Sequence, residues 1–276
     1  MTDGRRAAVC GKPIAHSLSP VIHSAGFAAA GLLTWSYTAI ECAAAELPDL
    51  VAGLGPEWAG LSLTMPLKEV ALTLGDTASP AALAVGVANT LVRRPDGSWY
   101  ADNTDIAGMV RVLRDAGLAD GPALTVLGGG GTARAALAAA AELGASRVTL
   151  VTRRPAAADE LAPVASALGV KLEPVLWSSA PAAFEADAVI STVPKGAADE
   201  LTRAARWRPG SVLFDAIYDP WPTPLAAAAA AQGVRVASGL DLLLAQALSQ
   251  FEQFTGVVPA PEGAMRDALT AAAALR

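Results

Sequence analysis

Three features of this sequence predict an α/β fold in two domains. Short apolar runs alternate with helical stretches along almost the whole chain. The alternation breaks at 117–122 and restarts at Ala123. A run of glycines then joins one apolar run to a long alanine-rich helix. Parallel strands joined by helices imply a doubly wound sheet. Composition fits a folded chain: of 276 residues, 53% are hydrophobic and 17% charged.

In the first hundred residues, "AAVC", "WSYTAI", "GLSLTM" and "ANTLVRR" read as strands. Helices are expected between them at 20–30, 43–54 and 67–74. "RRPDGSWY" makes a hairpin turn around Asp96-Gly97. The stretch 105–116, "DIAGMVRVLRDA", has helical periodicity, and Gly117 and "DGP" end it. Beyond the break, "ALTVL", "RVTLV", "VKLEPV", "DAVIST", "SVLFDA" and "VRVAS" are strands. The alanine run 226–231 reads as a helix lying close on a sheet, since alanine is the best helix former and adds no bulk. "LDLLLAQALSQFEQF" after Gly239 is a long helix, and a last helix covers 261–275. The expected domains are therefore 1–117 together with 239–276, and 118–238. A helix returning from Gly239 to the first domain would create two crossings, a hinge and a cleft.

The formal net charge of −6 argues against a general nucleic-acid binder, which would carry a basic face. No apolar run reaches the roughly 18–20 residues of a membrane span. "MTDGRRAAVCGKP" has two arginines but no long apolar core after them, so it does not read as a signal peptide. Cys10 and Cys42 are the only cysteines, in a spacing that fits no metal or redox motif. Two reduced thiols in a cytoplasmic protein without a bound metal is the expectation.

"VLGGGGTARAAL" places Gly128, Gly130 and Gly131 at a strand-to-helix junction. A phosphate can approach such a backbone without meeting Cβ atoms, and it sits on the positive end of the helix. A glycine run alone is equally a tight turn. Here it follows a strand, opens a helix and precedes another strand, which points to a Rossmann-like dinucleotide domain. An NAD site usually places a carboxylate about 20 residues after the glycines, for the ribose 2′-hydroxyl. This chain has Thr152, Arg153 and Arg154 there. A guanidinium can bind a 2′-phosphate through paired charge-assisted hydrogen bonds, which a carboxylate would repel. NADP(H) is the expected cofactor. The other reading of either arginine is a surface cover.

"SLTMPLKE" puts Ser62 and Thr64 at a strand end and Lys68 in the first turn of a helix. Helix N-termini disfavour cations, so Lys68 is either a solvated surface lysine or one placed for acid–base work. "ANTLVRR" and "YADNTDIAG" supply Asn89, Thr90, Asn103, Thr104 and Asp105. Asp105 or Thr104 could simply cap the next helix. A cleft that gathers these groups would suit a small polyhydroxylated anion.

Together these stretches resemble the shikimate dehydrogenase family over nearly the whole chain. "GKPIAHSLSP" with His23, "SLTMPLK", "GVANT", "DNTD", "GGGGTARA", "DAIYDPWPTPL" and "GLDLLLAQA" occur in the family's order. The resemblance implies an NADP-dependent enzyme that reversibly reduces 3-dehydroshikimate to shikimate, on the route to chorismate and the aromatic amino acids. It makes Lys68 and Asp105 the catalytic pair. It puts Ser17 and Ser19 on the substrate carboxylate and Asn89 on ring hydroxyls. Thr64 stands beside the site, and Tyr218 and Gln246 line the cleft. Gly239 falls where backbone approaches the nicotinamide. The implied domains are a substrate and catalytic domain, 1–117 with 239–276, and an NADP domain, 118–238. A small-molecule substrate, no nucleic acid or membrane, and a monomer or homodimer complete the expectation.

The chain also departs from the family. Serine stands at Ser62 where asparagine is common, "LDLLL" lacks the usual methionine, Ile106 replaces a frequent glycine, and Thr152-Arg153-Arg154 replaces Asn-Arg-Thr. His16 lies in the signature turn and is read as structural. A quinate or aminoshikimate dehydrogenase is the near alternative, although Ser19 and Arg153 point away from quinate. A non-catalytic dinucleotide-binding sensor is the alternative of another class, since fold alone does not make an enzyme. The intact Lys68 and Asp105 argue against it.

Overall fold

The computed structural model describes residues 4–275. Residues 1–3 and 276, the ends of the expected first domain, lie outside the described residues. The described chain divides into two compact units, one running up to Thr104 and resuming at Leu243, the other Asp105–Leu242.

The first unit opens with β1 (Arg6–Gly11), α1 (Ser19–Ala29), β2 (Ser36–Glu41), α2 (Leu47–Ala52), β3 (Trp58–Leu63) and α3 (Lys68–Leu74). It continues with β4 (Thr77–Ala78), α4 (Pro80–Val85), β5 (Thr90–Arg93) and β6 (Trp99–Asp102); α5 (Thr104–Asp115) starts at the last residue of this stretch and belongs to the second unit from Asp105 on. The strand order is β2-β1-β3-β5-β6-β4. β1 pairs in parallel with β2 and β3, as helical crossovers require, whereas β5 runs antiparallel to both β3 and β6. Five of the six β1 residues are buried, which is why it reads as a continuous apolar run and not as an alternation. The hairpin expected at Asp96-Gly97 joins β5 to β6, and the Asp96 carboxylate accepts from the Ser98 amide at 2.9 Å.

Helix α2 is shorter than the sequence suggests. The Glu46 carboxylate accepts from the Ala43 amide at 2.6 Å and holds 43–46 in a turn, so the helix begins at Leu47. The short β4 and α4 escape the sequence reading because neither is long enough to show a period.

The second unit holds β7 (Leu124–Leu127), α6 (Gly131–Glu142), β8 (Arg147–Thr152), α7 (Ala156–Ala167), β9 (Lys171–Leu176) and α8 (Ala180–Ala183). Next come β10 (Ala188–Ser191), β11 (Val212–Asp215), α9 (Pro224–Ala231) and β12 (Arg235–Ser238). All pairings are parallel in the order β12-β11-β10-β7-β8-β9, the doubly wound arrangement, and its direction switches between β7 and β10. Seven residues of α6, six of them alanines, are buried, so small side chains let this helix lie close to its neighbours. The chain ends with α10 (Gly239–Thr255) and α11 (Glu262–Ala273).

In the first unit Phe27, Tyr37, Phe251 and Phe254 are buried, and the fully buried His23 lies among them. Its ring stacks on Tyr37 with centroids 4.1 Å apart. Burial pushes the His23 imidazole down to about 3, against a smaller opposing pull from the Gln250 amide. The unfolded chain, with an ordinary imidazole near 6.5, therefore binds a proton that the folded chain refuses. Stability from this group is complete above pH ~6.5 and falls as pH drops towards 3, by up to about 1.4 kcal/mol per pH unit. Denaturant titrations from pH 7 to 4 are expected to show this slope, and His23→Gln is expected to flatten it. An equal slope in the variant would assign the acid sensitivity to other groups.

Candidate active site

The first unit gathers its polar groups at the carboxyl ends of β1 and β3 and the start of β5. After β1 the chain turns through 12–18, where the Ser17 amide donates to the Ile14 carbonyl at 2.9 Å. The Ser17 hydroxyl accepts from the Ser19 amide at 3.3 Å, so the two signature serines are held together at the entry to α1. Ser19 is buried and Ser17 half-buried. The loop after β3 is bound to this turn, since Lys12 N donates to Met65 O at 3.0 Å and Thr64 N to Cys10 O at 2.9 Å. Thr64 is half-buried beyond the end of β3.

Lys68 is the first residue of α3, preceded by Leu67, and is half-buried. The Ala88 amide donates to the Lys68 carbonyl at 2.9 Å, and the Leu63 amide to the Asn89 carbonyl at 2.7 Å. The lysine segment and Asn89 are thereby fixed to one another through backbone. The Asn89 side chain is buried, and its Oδ1 accepts from the Thr104 amide at 2.9 Å and the Thr104 hydroxyl at 3.1 Å. Asn103 turns the other way and donates from Nδ2 to Val87 O at 3.1 Å. Asp105, 8% exposed, follows Thr104 in the first turn of α5. His16 is exposed in the turn after β1.

In the second unit the glycine run forms the β7–α6 turn. Gly128 has φ +102°, and a Cβ on it would lie 2.7 Å from Thr192 Oγ1. A Cβ on Gly130 or Gly131 would meet nothing within 4 Å. The first glycine is thus demanded by the turn, while the later two leave open backbone at the start of a helix, where a phosphate is favoured. At the end of β8, Thr152 Oγ1 accepts from the Arg154 amide at 3.1 Å and shapes the local turn. The Arg153 guanidinium lies over the Trp177 ring, 5.6 Å from its centroid, and Arg154 pairs with Glu160 at 3.2 Å. Two exposed cations at this strand end, beside an open glycine backbone, fit an NADP-type dinucleotide with a 2′-phosphate. Tyr218 follows β11, and a Cβ on Gly239 would lie 2.1 Å from Ala216 O and 3.0 Å from Tyr218 Cδ1. The close approach of these two segments therefore depends on glycine. Gln246 on α10 is buried and donates from Nε2 to Leu243 O at 2.8 Å.

Two groups escaped the sequence reading. Trp177, the platform for Arg153, lies beyond β9, and no spacing rule points to it. Asp215, at the end of β11, is buried with its carboxyl pushed up by burial, opposed by the Thr223 hydroxyl and the Ile217 amide. "FDA" carries no signal that separates this acid from a surface one. Among the described residues no group of three or more His, Cys, Asp or Glu could hold a metal ion, and no helix is long and apolar enough to cross a membrane.

A mixed six-stranded unit whose serine turn, Thr64 loop and Lys68 and Asn89 segments are tied together by backbone bonds, followed by an all-parallel six-stranded unit of nucleotide-binding type, defines the class: a two-domain α/β oxidoreductase. Residues 9–91 match the family model of the shikimate dehydrogenase substrate binding domain, and 239–270 that of the shikimate 5'-dehydrogenase C-terminal domain. The chain is 38% identical over 262 residues to shikimate dehydrogenase (NADP(+)) of Caulobacter vibrioides, covering 92% of this chain and 90% of the relative. The crystal structure of Mycobacterium tuberculosis shikimate dehydrogenase superposes with a TM-score of 0.89 at 48% identity, covering 97% of this chain and 99% of that one. Shikimate 5-dehydrogenase from Thermus thermophilus, solved in complex with NADP(H) and shikimate, gives 0.84 at 30% identity over 97% and 99%. The chain belongs to the shikimate dehydrogenase family.

Proposed function

We propose that this chain is an NADP-dependent shikimate dehydrogenase, which reversibly reduces 3-dehydroshikimate to shikimate. The observation that carries the reading is the backbone-tied convergence of the Ser17–Ser19 turn, Thr64, Lys68 and Asn89 at one end of the first sheet. A substrate with a carboxylate and several hydroxyls matches those donors. Ser17 and Ser19 hold the carboxylate, the Asn89 amide donates to a ring hydroxyl, and Thr64, Tyr218 and Gln246 line the site. Gly128, Gly130 and Gly131 accommodate the pyrophosphate, Thr152, Arg153 and Arg154 read the 2′-phosphate, and Gly239 admits the nicotinamide. NADPH, when bound, supplies the hydride. Lys68, as an ammonium, stabilises the oxygen that becomes the alcohol and gives it a proton. Asp105 orients the lysine and accepts a hydrogen bond from a ring hydroxyl.

In this reading, residues 1–117 with 239–276 form the substrate and catalytic domain and 118–238 the NADP domain, bounds that differ by 13 and 4 residues from those of the two compact units. The enzyme works in the cytoplasm as a monomer or homodimer, in keeping with two buried free thiols. Titration calorimetry tests the substrate site. Ser17→Ala with Ser19→Ala is expected to weaken shikimate binding about 10-fold or more, since each change removes a hydroxyl donor to a charged group. NADP binding is expected to stay the same. Unchanged shikimate affinity in the double variant would remove the carboxylate role.

A further inference from the structure

A buried chain of hydrogen bonds runs from the edge strand β2 to Asn89. The Tyr37 hydroxyl lies 2.6 Å from Ser62 Oγ, and Ser62 Oγ lies 2.6 Å from Gln250 Oε1. Gln250 Nε2 lies 2.9 Å from Thr90 Oγ1 and 3.2 Å from the Asn89 carbonyl oxygen. Thr90 Oγ1 lies 2.7 Å from Asn89 Oδ1. All five side chains are buried.

Chemistry gives this chain one direction. The Asn89 carbonyl oxygen only accepts, so the end of Gln250 beside it is the amide nitrogen. The other end is an acceptor and takes the single proton of Ser62. Ser62 must then accept from Tyr37. Thr90 accepts from Gln250 and passes its own proton to Asn89 Oδ1. A flipped Gln250 would set acceptor against acceptor in a buried site, which is costly. At the far end, the Thr104 amide also only donates, so the Asn89 atom it meets is the oxygen. The oxygen end of Asn89 is thus held by Thr90 and Thr104, and Nδ2 is the end left to donate to a ligand.

We propose that Gln250 is a positioning residue for substrate recognition, which acts through Thr90 to fix the amide of Asn89 with its nitrogen towards the substrate. The inference rests on Asn89 as the donor to a substrate hydroxyl.

The test is a double-mutant cycle on kcat and KM for shikimate, with Asn89→Ala, Gln250→Met and both together. Gln250→Met is expected to lower kcat/KM about 10-fold, the effect of one lost hydrogen bond, mainly through KM and with NADP affinity unchanged. The double variant is expected to be no worse than Asn89→Ala alone. Thr90→Val is expected to give the same non-additive loss should Gln250→Met fold poorly, and Thr90→Ser to restore activity. Multiplying losses, or full activity in Gln250→Met and Thr90→Val, would overturn the positioning role while leaving Asn89 in place. Full kcat/KM in Asn89→Ala would overturn the reading of Asn89 and this inference with it.

Discussion

Lys68→Ala is expected to lower the rate of the chemical step by at least about 100-fold, the lower end of what a general acid–base group contributes. Hydride transfer to a ketone leaves an oxygen that needs a proton, and a positioned ammonium supplies it faster than bulk water does. Lys68 begins α3 directly after the loop that is tied to β1, and its carbonyl is bound to the strand-entry segment that carries Asn89. The lysine backbone is therefore held in place independently of its side chain. The alanine variant is expected to keep the fold and to bind NADP normally. Single-turnover kinetics is the proper measurement, because slow product release could hide the loss. Near-normal turnover in a step limited by chemistry would contradict the assignment. Asp105→Asn is expected to lower the rate less and to weaken shikimate binding as well.

Arg153→Asp is expected to weaken NADP binding about 10- to 150-fold, the span for losing a contact to a charged group, and to leave NAD binding nearly unchanged. The structure separates the two arginines. Arg154 is already paired with Glu160, whereas Arg153 lies on the Trp177 ring, which presents a guanidinium without neutralising it. Fluorescence titration with both cofactors decides the matter. Equal losses for NADP and NAD would show that Arg153 does not read the 2′-phosphate.

Much of the architecture was legible because it is written in local periods. The alternation of apolar runs and helices, the glycine turn and the arginines after β8 are all contiguous in sequence. The polar groups of the first sheet were legible only as segments in a family order, since nothing local says that the turn after β1 meets the loop after β3. That meeting is made by the Lys12 and Thr64 backbone bonds, and the Ala88 and Leu63 bonds tie the lysine segment and the end of β3 to the segment of Asn89; none carries a side-chain signature. The Tyr37–Ser62–Gln250 chain was illegible for a stronger reason. Its links join residues 25 and 188 positions apart, and each is an ordinary polar residue on its own element. Ser62 could be read from sequence only as a departure from asparagine. The two histidines illustrate the same limit: both stand near the signature, yet His16 is exposed and His23 fully buried.

The most direct test of the central reading is the initial rate of nicotinamide reduction by the purified protein with shikimate and with quinate, each against NADP+ and NAD+. Shikimate with NADP+ is expected to have the highest kcat/KM of the four pairs, and Lys68→Ala is expected to lose it. Tight NADP binding without turnover of any pair would contradict that reading in favour of a sensor, and faster turnover of quinate with NAD+ would contradict both the substrate and the cofactor assignment.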